Sequence, residues 1–163
     1  MFTPGFLEVS AHSVPGKLPI RIKLSCVTFQ ETKSKDPAQR EEAKSLIMRE
    51  MTNRFVERYA AKIPSGEYSK SLYYYLEGAL DVMIREVGEG SLRIVVECRT
   101  LEILGRLWDD YNSGHLNEVA EESLLTDEIK KKYEVESIEL ETTIFVEDYL
   151  ACKLSLRGIS SYS

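Results

Sequence analysis

Histidine and cysteine are scarce in this chain, and the scarcity removes most sequence routes to catalysis. Two histidines and three cysteines are spread over 163 residues. His12 and His115 have no Cys or His nearby with metal-ligand spacing, and no Ser/His/Asp or Cys/His set has sequence support. Cys26, Cys98 and Cys152 are odd in number and far apart, which argues against a disulfide framework and for a reducing compartment. No apolar run approaches the roughly 20 residues of a membrane-spanning helix. The N-terminus lacks a basic segment followed by an apolar one, so no signal peptide is read. Basic excess is also absent. A formal net charge of −6 argues against non-specific binding to nucleic acid or to an anionic membrane. These absences point to a cytoplasmic domain with no cofactor.

What is present is ordinary core material, 43% hydrophobic with 29% interspersed charge, enough for one domain with a sizeable core. Residues 1–17 hold two Pro-containing turns and read as an arm, with a short extended piece at Phe6–Val9. The domain proper is expected over 18–157, followed by a tail at 158–163. From Ile20 to Cys26 apolar and polar residues alternate, the period of a half-buried strand. Asp36-Pro37-Ala38-Gln39 is a helix start, with Asp36 as cap, Pro37 at the first helical position and Gln39 as capping-box partner. The row Ala43, Ile47, Met51, Phe55, Tyr59, widened by Leu46, Met48 and Val56, predicts its core face. Pro64-Ser65-Gly66 ends that helix, and a shorter helix is expected at Tyr68–Glu77.

Two alternating runs, Leu80–Arg85 and Leu92–Cys98, flank Gly88-Glu89-Gly90 and predict a β-hairpin. Thr100 then caps a helix with Leu101, Leu104, Leu107, Trp108 and Tyr111 inward. Gly114 suits its C-terminal cap. Further helices are expected over 116–124 and 127–133, the latter capped by Thr126. The last strand alternates Ile138, Leu140, Thr142 and Ile144 with Ser137, Glu139, Glu141 and Thr143. A final helix, Glu147–Leu156, is expected to present Leu150, Ala151 and Leu154 to the body.

This order is a split β-α-β (ferredoxin-like, RRM-like) frame with extra helices. The fold class is therefore α+β: a two-layer α-β sandwich on a four-stranded antiparallel sheet. The first and last strands then become antiparallel neighbours. Arg21 and Lys23 would lie near Glu141 and Glu139 on a solvent-facing side. Cys26 and Cys98 would fall on the buried side.

The frame is shared with RNA-recognition modules, the alternative reading for the same face. Those need outward aromatics on the middle strands, whereas this chain offers Arg93, Val95 and Glu97 there. The Gly-Glu-Gly piece contains an acid and opens no helix, so it reads as a turn, not a phosphate cradle. Asp109 and Asp110 are adjacent and point apart on a helix, which makes a solvated face, not a carboxylate dyad. Trp108 reads as core and His115 as a surface turn. Lys130-Lys131-Lys132 reads as a solvated helix face.

The stretch LDVMIREVGEGSLRIVVECRTLEILGRLWDDYNSGHLNEVAEESLL resembles the N-terminal domain of the TRADD family, the TNF-receptor-associated death domain adaptors. The likeness runs from about Leu80 to Leu156. Leu107, Tyr111, Gly114, Leu116, Ser123 and Leu124 keep the spacing, and Cys152 aligns in EDYLACKL; the first half agrees by element order. The resemblance implies an α-β sandwich that docks signalling proteins, TRAFs or death-domain pathway components, in innate-immune, TNF-receptor-like or cell-death signalling. It implies no catalysis. The family's TRAF surface carries over to Glu86, Gly88 and Arg93. The adaptor has other residue types at all three, so the resemblance implies a partner surface and not that particular contact. Together with the polar sheet face and hairpin, this gives the candidate protein-binding set Arg21, Lys23, Arg85, Glu86, Gly88 and Arg93. With no death domain following the sandwich, the chain is expected to be a stand-alone docking domain or a piece of a larger receptor.

Overall fold

The computed structural model describes residues 17–30, 36–61, 71–88 and 92–162. The arm expected over 1–17, Lys17 apart, the stop at Pro64-Ser65-Gly66, the start of the short helix at Tyr68 and the hairpin tip at Glu89–Gly90 lie outside them. In chain order come β1 (Lys17–Phe29), α1 (Pro37–Ala61), α2 (Leu72–Tyr74) running into a π-turn over Tyr75–Ala79, β2 (Met83–Gly88), β3 (Leu92–Glu97), α3 (Leu101–Ser113), α4 (His115–Leu124), α5 (Asp127–Lys132), β4 (Val135–Thr143) and α6 (Val146–Tyr162). The sheet order is β2-β3-β1-β4, every pair antiparallel. This is the split β-α-β frame that the element order predicts, with a helical layer on one side of the sheet.

Local chemistry sets the helix ends. The Asp36 carboxylate accepts from the Gln39 amide N–H at 2.8 Å, and the Gln39 side chain accepts from the Asp36 N–H at 3.2 Å, a reciprocal capping box. Thr100 and Thr126 cap α3 and α5 by accepting from the N–H groups of Ile103 and Ile129. Gly114 stops α3 at φ 88°, a left-handed conformation that glycine adopts without a Cβ penalty.

The core lies between the sheet and the helices. Leu18, Ile20, Ile22, Leu92, Ile94 and Val96 face Ile47, Met51, Phe55, Leu104, Leu107 and Leu116. On each edge strand one backbone N–H is taken by an acidic side chain. Glu77 accepts from the Ile84 N–H on β2 at 2.9 Å, and Glu121 accepts from the Leu140 N–H on β4 at 2.9 Å. Unpaired edge N–H groups would otherwise template another strand. Ser123 accepts from the Leu72 N–H at 2.7 Å and ties α4 to α2.

Several expectations are corrected. β1 begins at Lys17, three residues early, and β4 at Val135. Residues 80–82 are not strand: the Leu80 and Val82 N–H groups bond back to Tyr75 and Leu76, and Asp81 turns the chain at φ 59°. Their burial still alternates, because Leu80, Val82 and Ile84 all reach the core. Leu101 and Leu46 are partly exposed, and Ile103 takes the inner place on α3. Lys132 is not merely solvated; it donates to Glu50 at 2.7 Å and links α5 to α1. Asp110 is not merely solvated either, since it accepts from the half-buried Tyr75 hydroxyl. Trp108 is half-buried and stacks on Tyr149 of α6, centroids 4.0 Å apart and rings 7° from parallel.

The largest correction on the sheet is Cys26. A bulge between Leu24 and Cys26 inserts one residue, so Leu24 pairs with Leu140 while Cys26 pairs with Glu139 on the outer side. Because side chains alternate with period two, one extra residue exchanges the faces beyond it. Cys26 is therefore exposed, while Cys98 and Cys152 are buried. Hydrogen bonding with Cys152 and burial push the Cys98 thiol up, away from the reactive thiolate. In the native protein one thiol of the three is expected to react rapidly with a disulfide reagent such as DTNB, and all three after unfolding; fast labelling of more than one native thiol would contradict this packing.

Glu50 gives the fold a pH signature. Its carboxylate accepts from Lys132 at 2.7 Å and from the Tyr133 hydroxyl at 3.1 Å, and pairs with Arg54 at 3.3 Å. Arg54 in turn reaches Glu128 of α5 at 3.0 Å. The Lys132 hydrogen bond above all holds Glu50 below the usual carboxylate range, against the opposing effect of burial. A depressed folded value means that the unfolded chain takes up the proton first. The stabilisation is complete above the ordinary glutamate value of about 4.3 and disappears as pH falls through the lower folded value. Between about pH 5 and about pH 3 the wild-type Tm is expected to fall more steeply than that of Glu50→Gln, measured by thermal circular dichroism.

Candidate functional site

The side of the sheet away from the core is a graded surface whose rows follow from the strand register. One row runs Gly88, Arg93, Arg21, Thr143 across all four strands. The next runs Glu86, Val95, Pro19, and the third Met83, Glu97, Lys17. On the other side of the arginine row, Lys23 pairs with Glu141. Arg85 sits at a bulge in β2, between the pairs of Ile84 and Glu86, and donates to Glu97 at 3.0 Å. All six residues expected from sequence thus share one face, although they come from three strands.

The charge pairing differs in part from expectation. Lys23 and Glu141 form the ion pair anticipated for these strands, at 3.6 Å. Both are more than half exposed, with side-chain accessibilities of 63% and 52%, so the pair contributes about 0–1 kcal/mol. Arg21 does not reach Glu141. Its partner on β4 is Thr143 and its partner on β3 is Arg93, which sets two arginines directly opposite each other. Like charges in that position are destabilising. The Phe145 ring offsets this, lying 5.2 Å from the Arg21 guanidinium carbon in cation–π geometry. The Arg21 Nε is shielded from water and finds no acceptor among the described residues. Glu139, expected beside Lys23 or Arg21, instead stands opposite Cys26 because of the β1 bulge.

The face is not uniformly polar. Val95, expected outward and solvated, is 6% exposed, and its partner Pro19 is also buried, so an apolar spot interrupts the charges beside the arginine row. Phe145 escaped the sequence reading. The signal was there: the outward parity of Glu139, Glu141 and Thr143, carried two residues further, reaches it. A cleft lined by Arg54, Phe55, Leu72, Ser123 and Thr126 lies elsewhere, on the helical side; its internal volume of about 10 Å³ is room for a single water.

A four-stranded antiparallel sheet with one helical layer, and a hairpin leading into a capped helix closed by a left-handed glycine, is the arrangement that the sequence likeness implied. Residues 76–129 match the family model of the TRADD-like N-terminal domain. The matched segment spans all but the first residue of the π-turn, then β2, β3, α3, α4 and the first half of α5. It contains Arg85, Glu86, Gly88 and Arg93, whereas Arg21 and Lys23 lie outside it on β1. No curated protein and no solved structure matches the chain. Among the described residues no helix is long and apolar enough to cross a membrane.

Because Lys23 is exposed and its ion pair screened, Lys23→Glu is expected to change unfolding free energy by no more than about 1 kcal/mol in urea titration. A larger loss would show that the outer face is part of the stabilising core and not a surface free to bind.

Proposed function

We propose that this chain is a non-enzymatic docking domain of a cytoplasmic signalling adaptor, acting in innate-immune, TNF-receptor-like or cell-death signalling. The observation that carries the reading is the TRADD-like match over residues 76–129, a segment that includes the hairpin half of the outer sheet face. The partner is a signalling protein of the TRAF-like or death-domain-pathway class. Its contact is the row Gly88, Arg93, Arg21 with the flanking Lys23, Arg85 and Glu86.

The chemistry of that row supports an acidic contact group. Arg21 and Arg93 are cross-strand neighbours with no carboxylate in ion-pair range among the described residues, where the Arg21 Nε also lacks an acceptor. A carboxylate from a partner would relieve the repulsion between the two guanidinium groups. The exposed Phe145 ring adds apolar contact beside the charges, the mixture found where protein surfaces dock. An aromatic platform for stacking bases is missing from the outward positions of β3, which disfavours the RNA alternative.

Isolated TRAF C-terminal domains and death-domain proteins, titrated calorimetrically against the full chain, provide the test. Arg93→Glu and Arg21→Glu are expected to weaken binding by roughly 10- to 100-fold, as loss of a charge-assisted contact does, while Arg49→Glu on the exposed side of α1 leaves it unchanged. Binding of none of these proteins, equal binding by all variants, or salt-dependent capture of single-stranded RNA instead would each overturn the proposal.

A further inference from the structure

Helix α6 leaves Leu150 and Leu154, expected to face the body, 49% and 67% exposed, with Cys152 and Leu156 inward in their place. An apolar row names no occupant by itself. A pair of uncompensated charges does, and the outer sheet carries one. Arg21 and Arg93 stand directly opposite each other on β1 and β3. Residues so opposed hold their Cβ atoms only about 5 Å apart. The acids nearby are committed elsewhere, Glu97 to Arg85 at 3.0 Å and Glu141 to Lys23 at 3.6 Å. Glu86, one row away on β2, forms no ion pair with either arginine among the described residues. Gly88 and Thr143, the ends of the arginine row, add no charge of their own.

The pair suits one compact anion of double charge. Phe145 lies against the Arg21 guanidinium, its ring centre 5.2 Å from the central carbon, and holds that group in place before a ligand arrives. The Arg21 Nε is shielded from solvent, so an incoming group meets the terminal nitrogens. Those N–H groups and the fork of Arg93 match the oxygens of a carboxylate or of a phosphoryl group. Charge separates the two. A carboxylate brings one negative charge and leaves one arginine uncompensated. A phosphorylated side chain brings about −1.5 to −2 at pH 7, with three acceptor oxygens on one centre, enough for both. The surroundings set the source. The chain carries a net charge of −6, and Glu86 and Glu97 on one side of the row and Glu141 on the other flank the arginines. A continuous run of phosphates, as in RNA or an anionic membrane, would meet those acids; a single phosphoryl group on a protein would not.

We propose that the Arg21–Arg93 pair receives a phosphorylated side chain of the protein that docks on this face, so that phosphorylation of the partner switches docking on. It rests on the docking reading of the same row and names what the partner carries there. Recognition of a phosphorylated motif by clustered arginines is the mode of binding, and the switch is the added charge.

Blocked alanine pentapeptides with phosphoserine, phosphotyrosine or glutamate at the centre test the pair, titrated into the isotope-labelled full chain at pH 7 and followed by amide chemical shifts. At least one phosphopeptide is expected to bind tenfold or more tightly than the glutamate peptide, with the shifts centred on β1 and β3. Arg21→Gln and Arg93→Gln should each cost at least tenfold of that affinity and Arg49→Gln none of it, with unchanged far-UV circular dichroism to show that each variant is folded. Vesicles containing phosphatidic acid should not bind the chain. Equal affinity for phosphorylated and glutamate peptides would overturn the phosphoryl assignment and leave carboxylate docking standing. Phosphopeptide binding that survives both arginine variants, capture by the vesicles, or no shift with any peptide up to about 10 mM would overturn it too. The docking reading itself is decided separately, by the titrations with TRAF and death-domain proteins.

Discussion

Strand β1 is hydrogen-bonded along both edges, to β3 and to β4, and the other elements take their places from it. Its inner side chains Leu18, Ile20 and Ile22 are at most 1% exposed and form the floor on which α1 and the other helices pack. Of its outer side chains, Arg21 lies between those of β3 and β4, and Lys23 stands beside Glu141 of β4. The core and the candidate binding face are thus two sides of one strand, separated only by the period of two. A shift of one residue in its register would bury the arginine and expose the isoleucines, so the packing that stabilises the fold also holds the binding face in position.

Features governed by neighbours in the chain were legible in the sequence. The capping box at Asp36 and Gln39, the caps at Thr100 and Thr126 and the left-handed Gly114 all involve residues within three or four positions, and residue type alone is diagnostic there. The sheet order followed from element order and the adjacency rules for a split β-α-β frame. The faces of β3 and β4 followed from alternation, with Val95 the exception.

Features that depend on the third dimension were not legible. Nothing in Leu-Ser-Cys announces a bulge, because the bulge accommodates β4 and not local propensity. Helix α6 carries apolar residues on both sides, so periodicity could not choose between Leu150–Leu154 and Cys152–Leu156; stacking of Tyr149 on Trp108 decided it. Lys132 looked like a solvated lysine until α5 brought it to Glu50, 82 positions earlier in the chain. The same holds for the site. Its six residues were identified from the resemblance and strand parity, but the Arg21–Arg93 opposition and the Phe145 ring above Arg21 arise only when strands far apart in sequence are aligned.

By itself, then, the amino-acid sequence determined the kinds of element, their order, their capped ends, and a likeness to a signalling domain, because these rest on short-range hydrogen bonding, the two helical and strand periods, and motif spacing. The tertiary structure alone decided which of two apolar faces of α6 is buried, which cysteine meets solvent, and which charges stand together on the outer sheet. Those outcomes are set by packing and register between segments brought together only on folding, where a single inserted residue in β1 or a rotation of α6 exchanges inside for outside.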